Sequence, residues 1–324
     1  MAHRPLNQVN QQPMPRATKS TISSPGKAAV RADRGPRIGL ALGGGAAKGL
    51  AHISMIEVLD ELGVKPAIIA GTSIGAIVGA NYAAGMTGRE MRSYTLKLFS
   101  NRTELLRRIA SRWPGALGTL WNPFTPAIFS AEALVEILMP ETLPLEFGKL
   151  KIPFITVATD FYAQEQVLFD QGALIPAIAA SSALPALMTP VEHEGRVLID
   201  GGFVNPTPFD ILYERADITV AIDVTGTTRK RAPGKLPSSL EVTIGGAQIT
   251  LASIVKEKLK QGGPDVLIRP AVNQFAAMEF FKAREILVAA DLAKDELKRK
   301  LDAALEGLLS QGARARAAIE PPGR

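Results

Sequence analysis

Short apolar runs alternate with longer segments of helical periodicity along most of the chain. An apolar run bounded by turn residues is typical of a strand buried on both faces, and such strands occur in parallel sheets covered by helices. The alternation therefore predicts an α/β fold with a mainly parallel central sheet covered on both faces. The predicted strands lie near residues 37–42, 66–70, 152–160, 165–170, 197–200, 217–224 and 265–269.

The two ends of the chain lack this pattern. Residues 1–36 carry six lysines and arginines against one acid, Asp33, among many Gln, Pro and Ser residues. This composition predicts a disordered basic tail, and it lacks the apolar core of a secretory signal. Residues 311–324 are predicted to be a frayed C-terminal tail. The chain of 324 residues, 46% of them hydrophobic, is thus expected to form one large domain over residues 37–310.

Residues 67–86 contain no charge and have the length of a membrane-spanning helix. Three of their glycines also stand at the spacing found in membrane helix dimers. Pro66 at the start and the hydroxyl of Ser73 within the segment favour a buried strand, turn and helix instead. We therefore predict that this segment belongs to the core of a soluble domain.

The segment Gly71-Thr72-Ser73-Ile74-Gly75 joins the predicted strand 66–70 to this helix. In the order strand, G-x-S-x-G, helix, the serine stands on a sharp turn with its hydroxyl exposed above the sheet. Gly71 and Gly75 are needed because a Cβ beside the tight turn would clash. The helix directs its first N–H groups at the site, which favours developing negative charge. Ser73 is therefore the predicted nucleophile.

A glycine-rich turn, which begins at Gly43 and ends at Gly49, joins the first predicted strand to the first predicted helix. Such a turn leaves backbone N–H groups open to an anion. The P-loop pattern fails because Lys48 precedes Gly49 and no Ser or Thr follows, and the dinucleotide pattern fails in both registers. An oxyanion hole uses the same backbone geometry and fits better beside a nucleophile. The candidate donors are the N–H groups of Gly44, Gly45 and Ala46.

Asp200-Gly201-Gly202 ends the short predicted strand 197–200. A carboxylate is thereby held at a strand end, and the two glycines allow another part of the backbone to approach closely. An isolated Asp-Gly-Gly is ordinarily a turn, so the triplet gains its meaning from the other two motifs. Other aspartates at predicted strand ends lack the two glycines, namely Asp160, Asp170 and Asp223.

Together, the glycine loop, the Ser73 turn and the Asp200 triplet resemble the patatin-like phospholipase family and follow its order. Further stretches are similar to the bacterial branch of the family, among them Ala158-Thr159-Asp160 and the block 180–185 before the aspartate. The resemblance covers roughly residues 37–290. It implies a patatin-like three-layer α/β/α sandwich with a nucleophile elbow, and a catalytic dyad of Ser73 and Asp200 beside an oxyanion hole in the glycine loop. The implied substrates are carboxylic esters of phospholipids or lysophospholipids, cleaved through an acyl-enzyme without a cofactor or a metal ion.

Two residues of the glycine loop need separate comment. Many family members have glycine where Ala46 stands; the backbone N–H survives this change, so the change matters only if the residue requires a positive φ. Lys48 stands where the family has Arg or Lys. Two interpretations of Lys48 stay open, a cation that meets a phosphate head group and an ordinary cation at a helix start.

The three histidines argue independently against a Ser-His-Asp triad. On an α/β-hydrolase fold the histidine follows the acid, and no histidine follows Asp200. His3 lies in the polar tail, His52 in a predicted helix as a packed or hydrogen-bonded residue, and His193 in a predicted surface hairpin. A Ser-His-Asp esterase of general carboxylesters remains one alternative, and a lipid-binding regulatory protein on a hydrolase fold remains another.

The implied reaction makes a demand on Asp200. This residue acts as general base while the Ser73 hydroxyl attacks an ester carbonyl. An ordinary aspartate, with a pKa near ~3.9, is a weak base. We therefore expect an apolar setting that raises the pKa of Asp200, with Phe203 and Val204 as the candidates for that setting.

Composition narrows the remaining classes. The chain has no cysteine, which excludes a disulfide scaffold, a thiolate zinc site and a cysteine nucleophile, and it has no HExxH motif that predicts a metal centre. The net charge of +6 favours contact with an anionic membrane surface, although much of it lies in the tail. No nucleic-acid-binding module is recognisable. We expect a cytoplasmic protein with peripheral membrane contact, and the oligomeric state stays open.

Residues 89–129 combine basic side chains with both tryptophans of the chain. One interpretation is a lid or membrane-docking insertion, and the other is a solvated basic helix whose aromatic side chains pack into the core. The residues concerned are Arg89, Arg92, Lys97, Arg102, Arg107, Arg108, Arg112, Trp113, Trp121, Phe124 and Phe129.

Overall fold

The computed structural model describes residues 35–100, 105, 107, 130–226 and 236–319. Within these residues the centre of the fold is an eight-stranded sheet. Every predicted strand is present, and β5 is an additional strand too short to show in the apolar pattern. The strands are β1 (Ile38–Leu42), β2 (Ile68–Thr72), β3 (Phe154–Asp160), β4 (Glu165–Phe169), β5 (Val191–His193), β6 (Arg196–Asp200), β7 (Ile218–Ile222) and β8 (Val266–Ile268).

The sheet is parallel in its centre and antiparallel at one side. Its strand order is β5-β6-β3-β2-β1-β7-β8, and β4 also pairs with β3. The pairs from β3 through β2, β1 and β7 to β8 are parallel, as the apolar runs predict. β4 and β6 pair with β3 in antiparallel fashion, and β5 pairs with β6 in the same way. The carboxyl ends of β1, β2 and β7 therefore lie together at one edge of the sheet.

Helices follow most of the strands. Short 3₁₀ segments occur at Ala46–Leu50, Gly201–Phe203 and Asp210–Leu212. The α-helices of the described residues are α1 (Ala51–Glu61), α2 (Ile74–Ala83), α3 (Gly88–Ser100), α4 (Ala131–Leu138), α5 (Leu174–Ser182), α6 (Ser239–Gln261), α7 (Ala283–Asp291) and α8 (Lys294–Ile319).

Residues of the central strands alternate between two apolar layers. Leu40 and Leu42 belong to the larger layer, to which α1, α2, α5, α7 and α8 contribute buried side chains. Ala41 and Ala70 belong to the smaller layer, which the segment around Phe209 and one end of α6 cover. The sheet is thus covered on both faces, and the predicted three-layer α/β/α sandwich is confirmed.

The uncharged segment 67–86 forms β2 and α2, as predicted, and not a membrane helix. Gly79 allows α2 to lie close to the sheet, because a Cβ there would lie 2.9 Å from Cε2 of Phe154. No helix in the described parts of the chain is long and apolar enough to cross a membrane.

Several predicted segments lie wholly or partly outside the described residues. Of the N-terminal tail only residues 35 and 36 are described, and of residues 89–129 those up to Ser100, together with 105 and 107. Within that part Arg92 is half-buried and forms ion pairs of 2.6 Å with Glu57 and with Asp291, so it packs against the fold. Helix α8 continues to Ile319, beyond the boundary that the sequence sets at residue 310.

The backbone of α2 passes so close to the end of β1 that position 75 has no room for a side chain. A Cβ on Gly75 would lie 2.1 Å from the carbonyl oxygen of Leu42. We expect Gly75→Ala to lower the free energy of unfolding by more than about 2 kcal/mol, measured by urea denaturation. Gly245→Ala is the control: it lies inside α6 with nothing within 4 Å of its Cβ, and should raise that free energy by about 0.5–1 kcal/mol. Equal effects at the two positions would contradict this account.

Candidate active site

Ser73 stands at the sharp turn between β2 and α2. Its φ of 56° and ψ of −125° lie in a region that residues with a side chain rarely adopt. A Cβ on Gly71 would lie 2.5 Å from the carbonyl oxygen of Gly75, and position 75 is itself closed to a side chain. The two glycines therefore permit the turn as the sequence predicts, and the unusual backbone conformation falls on the serine.

Asp200 meets Ser73 because β6 and β2 share one edge of β3. Thr72, the last residue of β2, pairs with Val157, and Asp200, the last residue of β6, pairs with the next residue, Ala158. β4 occupies the other edge of β3 over the same residues. β6 thus approaches from beyond the end of β2, and the two strands end at one point. There Oγ of Ser73 donates a hydrogen bond of 2.7 Å to Oδ2 of Asp200.

The carboxylate of Asp200 is buried, with 4% of the residue exposed. Its other oxygen, Oδ1, accepts a hydrogen bond of 2.7 Å from the N–H of Gly202. Burial raises the pKa of Asp200 to about 6, although the hydrogen bonds from Ser73 and Gly202 act in the opposite direction. The direction of this pKa shift is the one that the sequence analysis expects of a general base.

Of the two glycines of the Asp-Gly-Gly triplet, Gly201 has no room for a side chain and Gly202 has little. A Cβ on Gly201 would lie 2.1 Å from the carbonyl oxygen of Val157, so β6 leaves the edge of β3 without room for a side chain. A Cβ on Gly202 would lie 3.0 Å from Cδ2 of Leu251 in α6. Phe203 is only partly buried, as is Val204, and the close apolar contact at the triplet comes from α6 instead.

The glycine loop after β1 adjoins the nucleophile and is held by backbone hydrogen bonds. A Cβ on Gly44 would lie 3.3 Å from the Cβ of Ser73. The N–H of Gly43 donates to the carbonyl of Ile222 at 3.0 Å, and the N–H of Gly44 donates to the carbonyl of Pro206 at 2.8 Å. Because the Gly44 N–H already has an acceptor, it is not free for an oxyanion, and that part of the prediction is corrected.

The next two residues keep their N–H groups available. Neither Gly45 nor Ala46 donates its N–H to an acceptor within the part of the chain that the structure describes. Ala46 has a φ of 51°, in the left-handed region that favours glycine. Ala46 thus replaces the family's usual glycine at a position with positive φ. The backbone of an alanine is strained there by about 1 kcal/mol.

Lys48 is buried below the loop and not presented at its surface. It is 1% exposed, and its Nζ donates a hydrogen bond of 2.8 Å to the carbonyl of Thr225. Burial lowers the pKa of Lys48, and the charge of Asp223 opposes this effect. Both interpretations of Lys48, as a head-group ligand and as an ordinary helix-start cation, are therefore wrong. Gly49 is needed for packing, because a Cβ there would lie 2.1 Å from Cγ2 of Ile74.

The described histidines lie in the settings that the sequence predicts. His52 is buried and donates from Nε2 to the carbonyl of Gly43 at 2.8 Å, and burial lowers its pKa to about 4. His193 lies in the β5–β6 hairpin, where its ring meets the edge of the Phe169 ring. Neither histidine bonds Ser73. No group of His, Asp and Glu side chains in the described residues is arranged to hold a metal ion.

The end of α5 and the residue after it hold the backbone of both predicted reactive residues in place. Oγ of Ser181 accepts a hydrogen bond of 2.9 Å from the N–H of Ser73. The carbonyl of Ala183 accepts one of 3.0 Å from the N–H of Asp200. Ser181 is completely buried, so its hydroxyl is a structural partner of the elbow.

Two carbonyl groups just after the Asp-Gly-Gly triplet join the motifs together. The carbonyl of Asn205 accepts a hydrogen bond of 2.8 Å from Oγ1 of Thr72, beside the nucleophile. The carbonyl of Pro206 holds Gly44, as described above. The sequence analysis missed both residues, because every residue type supplies a backbone carbonyl and no side-chain pattern identifies them.

An apolar pocket lies along α2, and Ile74, the residue after Ser73, is part of its lining. Ile74, Ile77, Val78 and Asn81 form one wall, at the spacing that places residues on a single face of a helix. The other walls come from α1, from α3 and from Phe280, and the pocket has a volume of about 40 Å³. Its lining is apolar apart from a few side chains, which suits a hydrocarbon chain.

Comparison with known proteins agrees with this geometry. The model of the patatin-like phospholipase family matches residues 40–213, a range that holds the glycine loop, Ser73 and Asp200. The chain belongs to this family.

Its relatives include several proteins of the NTE group. An uncharacterized NTE family protein of Mycobacterium tuberculosis is 37% identical over 207 residues, which are 64% of this chain and 54% of that protein. Lysophospholipase NTE1 of Saccharomyces cerevisiae is 27% identical over 299 residues, 83% of this chain and 17% of that protein. The chain thus spans about half the length of the mycobacterial relatives. Among solved structures, VipD from Legionella pneumophila has a TM-score of 0.45 at 14% identity, covering 83% of this chain and 67% of VipD.

The buried carboxylate makes stability depend on pH. The folded-state pKa of Asp200, about 6, lies above its ordinary value of 3.8. Above about pH 6 the carboxylate is charged in the folded and unfolded states alike, and burial of the charge costs up to about 3 kcal/mol; below about pH 4 both states are protonated and the cost disappears. We expect Asp200→Asn to be more stable than the wild type at pH 8, and this gain to vanish at pH 4, in urea denaturation.

The matched control is Asp223→Asn. Asp223 also follows a strand and is buried, but its carboxylate forms an ion pair of 2.7 Å with Arg269. Its neutralisation should lower the free energy of unfolding at pH 8, opposite in sign to the change at Asp200. A loss of stability in both variants would show that the Asp200 carboxylate is not penalised by burial.

Proposed function

We propose that the protein is a serine acyl hydrolase that cleaves carboxylic esters of phospholipids or lysophospholipids. The observation that carries the proposal is the hydrogen bond of 2.7 Å from Oγ of Ser73 to Oδ2 of Asp200 in a member of the patatin-like phospholipase family. An aspartate that accepts a hydrogen bond directly from the hydroxyl of a serine is able to act as its base without an intervening histidine.

The proposed reaction has two steps that share the same groups. Asp200 accepts the hydroxyl proton while Oγ of Ser73 bonds to the ester carbonyl carbon, and the oxyanion receives hydrogen bonds from the free N–H groups of Gly45 and Ala46. As the intermediate collapses, the leaving alcohol takes the proton from Asp200, and the acyl group stays on Ser73. Water then attacks the acyl carbonyl carbon and gives a proton to Asp200. As the ester bond to Ser73 breaks, Oγ takes this proton back from Asp200 and the carboxylic acid leaves.

The pKa of Asp200 suits this role. At about 6 it leaves the carboxylate largely ionised at neutral pH and makes it a stronger base than an ordinary aspartate. The pKa of His52 is low, about 4, so its imidazole is neutral at neutral pH. Its Nε2–H donates to the carbonyl of Gly43 in the glycine loop and not to Ser73. The base strength required for attack therefore comes from the burial of a carboxylate.

A lipid ester as the substrate follows from two considerations. The apolar pocket begins at Ile74, the residue after the nucleophile, so an acyl chain is able to lie along α2 while its carbonyl meets Ser73. The yeast relative that covers most of this chain is named a lysophospholipase. Both support a substrate with a long apolar acyl group.

Two alternative functions make different demands on the site. A Ser-His-Asp esterase needs a histidine at the hydroxyl of Ser73, whereas this hydroxyl donates to Asp200. A lipid-binding regulatory protein would use the same pocket without turnover. The experiment below separates the three.

We expect hydrolysis of a panel of phosphatidylcholine, phosphatidylglycerol, lysophospholipid and a p-nitrophenyl ester to fall by more than about 10³-fold in Ser73→Ala and in Asp200→Asn, because both remove a reacting group. Ser310→Ala, which removes an exposed serine hydroxyl of α8, is the matched control and should leave turnover unchanged. In the wild type kcat/KM should rise with pH through about 6, as the Asp200 carboxylate ionises.

Each alternative has its own signature in this experiment. A loss of activity in His52→Ala or His193→Ala comparable with that in Ser73→Ala, in variants that remain folded, would favour the triad. Absence of turnover in the wild type on every substrate would favour the binding protein. Activity that survives Ser73→Ala would overturn the assignment of the nucleophile.

We also propose that this protein is cytoplasmic and contacts membranes through one side of α6. From Val242 to Val255 the helix contains no charged residue. Val242 and Ile249, which share a face, are 56% and 58% exposed. Leu251, on the opposite face, packs beside Gly202 of the Asp-Gly-Gly triplet. An apolar stripe next to the site suits shallow insertion into a lipid surface, where the ester substrate resides.

We expect the double variant Val242→Glu with Ile249→Glu to bind phosphatidylglycerol vesicles about tenfold or more weakly in a sedimentation assay, because it removes apolar contact and adds negative charge. Its hydrolysis of a water-soluble ester should persist. The control is Val288→Glu with Leu292→Glu, which makes the same kind of change at residues of α7 and its end that are 61% and 81% exposed. Equal weakening by the two double variants would show that α6 is not the docking surface.

A further inference from the structure

Asn81 is a polar side chain inside the apolar pocket along α2. It is 8% exposed and lines the wall that the nucleophile helix contributes. Its Nδ2 donates to the carbonyl of Ile77 at 2.9 Å and lies 3.1 Å from Sδ of Met139. Its Oδ1 has no hydrogen-bond partner among the described residues. The amide orientation follows from the contact with Ile77, because the flipped amide would direct oxygen at oxygen.

An unpaired buried amide oxygen costs free energy of folding, and a leucine of nearly the same size would avoid this cost. The other residues of this helix face, Ile74, Ile77 and Val78, are apolar. The free oxygen of Asn81 is therefore the one acceptor of this wall that a bound molecule with a hydrogen-bond donor is able to satisfy.

The position of Asn81 along α2 determines which carbon of a bound acyl chain would carry such a donor. Asn81 follows Ser73 by two turns of α2, so their Cα atoms are about 12 Å apart along the helix axis. With C–C bonds of about 1.5 Å, an extended acyl chain advances about 1.3 Å per carbon, so about nine carbons separate the ester carbonyl from the level of Asn81. This depth corresponds to the middle of a fatty acyl chain.

We infer that the pocket takes the acyl chain of the substrate and that Asn81 selects chains with a hydroxyl group near the middle. This inference rests on the proposed function. A plain methylene at that depth keeps water away from Oδ1 of Asn81 and leaves it unpaired, whereas a hydroxyl donates to it. A site that pairs a substrate hydroxyl discriminates more strongly than one that only fills space.

For a chain to enter, side chains in the walls of the pocket must move. With its side chains in their present conformations the pocket has a volume of only about 40 Å³. Met86 and Met91 form part of its lining. Methionine side chains are unbranched and repack readily around a ligand. Asn81, in contrast, is held through its Nδ2 by Ile77 and Met139. The Asn81 amide therefore keeps its position, whereas the methionine side chains around it are able to move.

A binding measurement tests this selection without any turnover. Full-length Ser73→Ala is titrated with dodecanoic acid, with the same acid hydroxylated about nine carbons from the carboxyl group, and with the acid hydroxylated beside the carboxyl group. We expect the mid-chain hydroxyl to tighten binding about tenfold and the hydroxyl beside the carboxyl group to give no such gain. Adding Asn81→Leu should abolish the preference and tighten binding of the plain acid. Equal affinity for the plain and mid-chain hydroxylated acids would overturn the inference.

Kinetics with the p-nitrophenyl esters of the same acids separate this inference from the proposed function. The readout is the ratio of kcat/KM for the mid-chain hydroxylated ester to kcat/KM for the plain ester. A variant that loses activity equally toward both esters leaves this ratio unchanged. This ratio should be about ten in the wild type and about one in Asn81→Leu. The control is Thr219→Val in β7, which removes a buried hydroxyl that donates to the carboxylate of Asp265. This variant should keep the wild-type ratio. Turnover that needs Ser73 but has a ratio of one leaves the proposed function intact and overturns the role of Asn81.

Discussion

The site depends on a change of neighbour along one edge of β3. Up to Val157 this edge pairs with β2, and from Ala158 onward it pairs with β6. A serine from a parallel strand–helix unit and an aspartate from an antiparallel hairpin are thereby brought within one hydrogen bond. The lack of a side chain at Gly201 lets β6 approach the backbone of Val157 this closely.

The electrostatic setting of Asp200 differs from that of Asp223, which is also a buried carboxylate at a strand end. Asp223 forms an ion pair with Arg269, whereas Asp200 has no cation bound to its carboxylate among the described residues. Two hydrogen bonds, from Ser73 and Gly202, only partly replace the water that burial removes. The same absence of compensation that lowers stability raises the pKa of the carboxyl group, which suits the proposed role of Asp200 as a base.

Local motifs were predictable from the sequence because their geometry is imposed by neighbouring residues. Gly71 is needed at the Ser73 turn for a steric reason that acts within five residues, whereas Gly75 is needed because the end of β1 passes close to it. The strands follow from apolar runs. The contact with Asp200 was predicted only through the family resemblance, since it depends on pairing with β3 from far along the chain. The burial of Lys48 and the hydrogen bond from Gly44 to Pro206 depend on segments that return from even further away, and no local pattern reveals them.

The stretch from Asp200 to Pro206 carries the proposed base at one end and the carbonyl that orients the glycine loop at the other. Lengthening or shortening this connection would displace both parts at once, so natural variation in loop length has little freedom here. The pocket walls come from other elements, and Asn81 lies two helical turns from the reacting atoms. Substitutions in the proposed acyl pocket are therefore able to change which chains fit without moving the proposed reacting groups, which one short connection holds together.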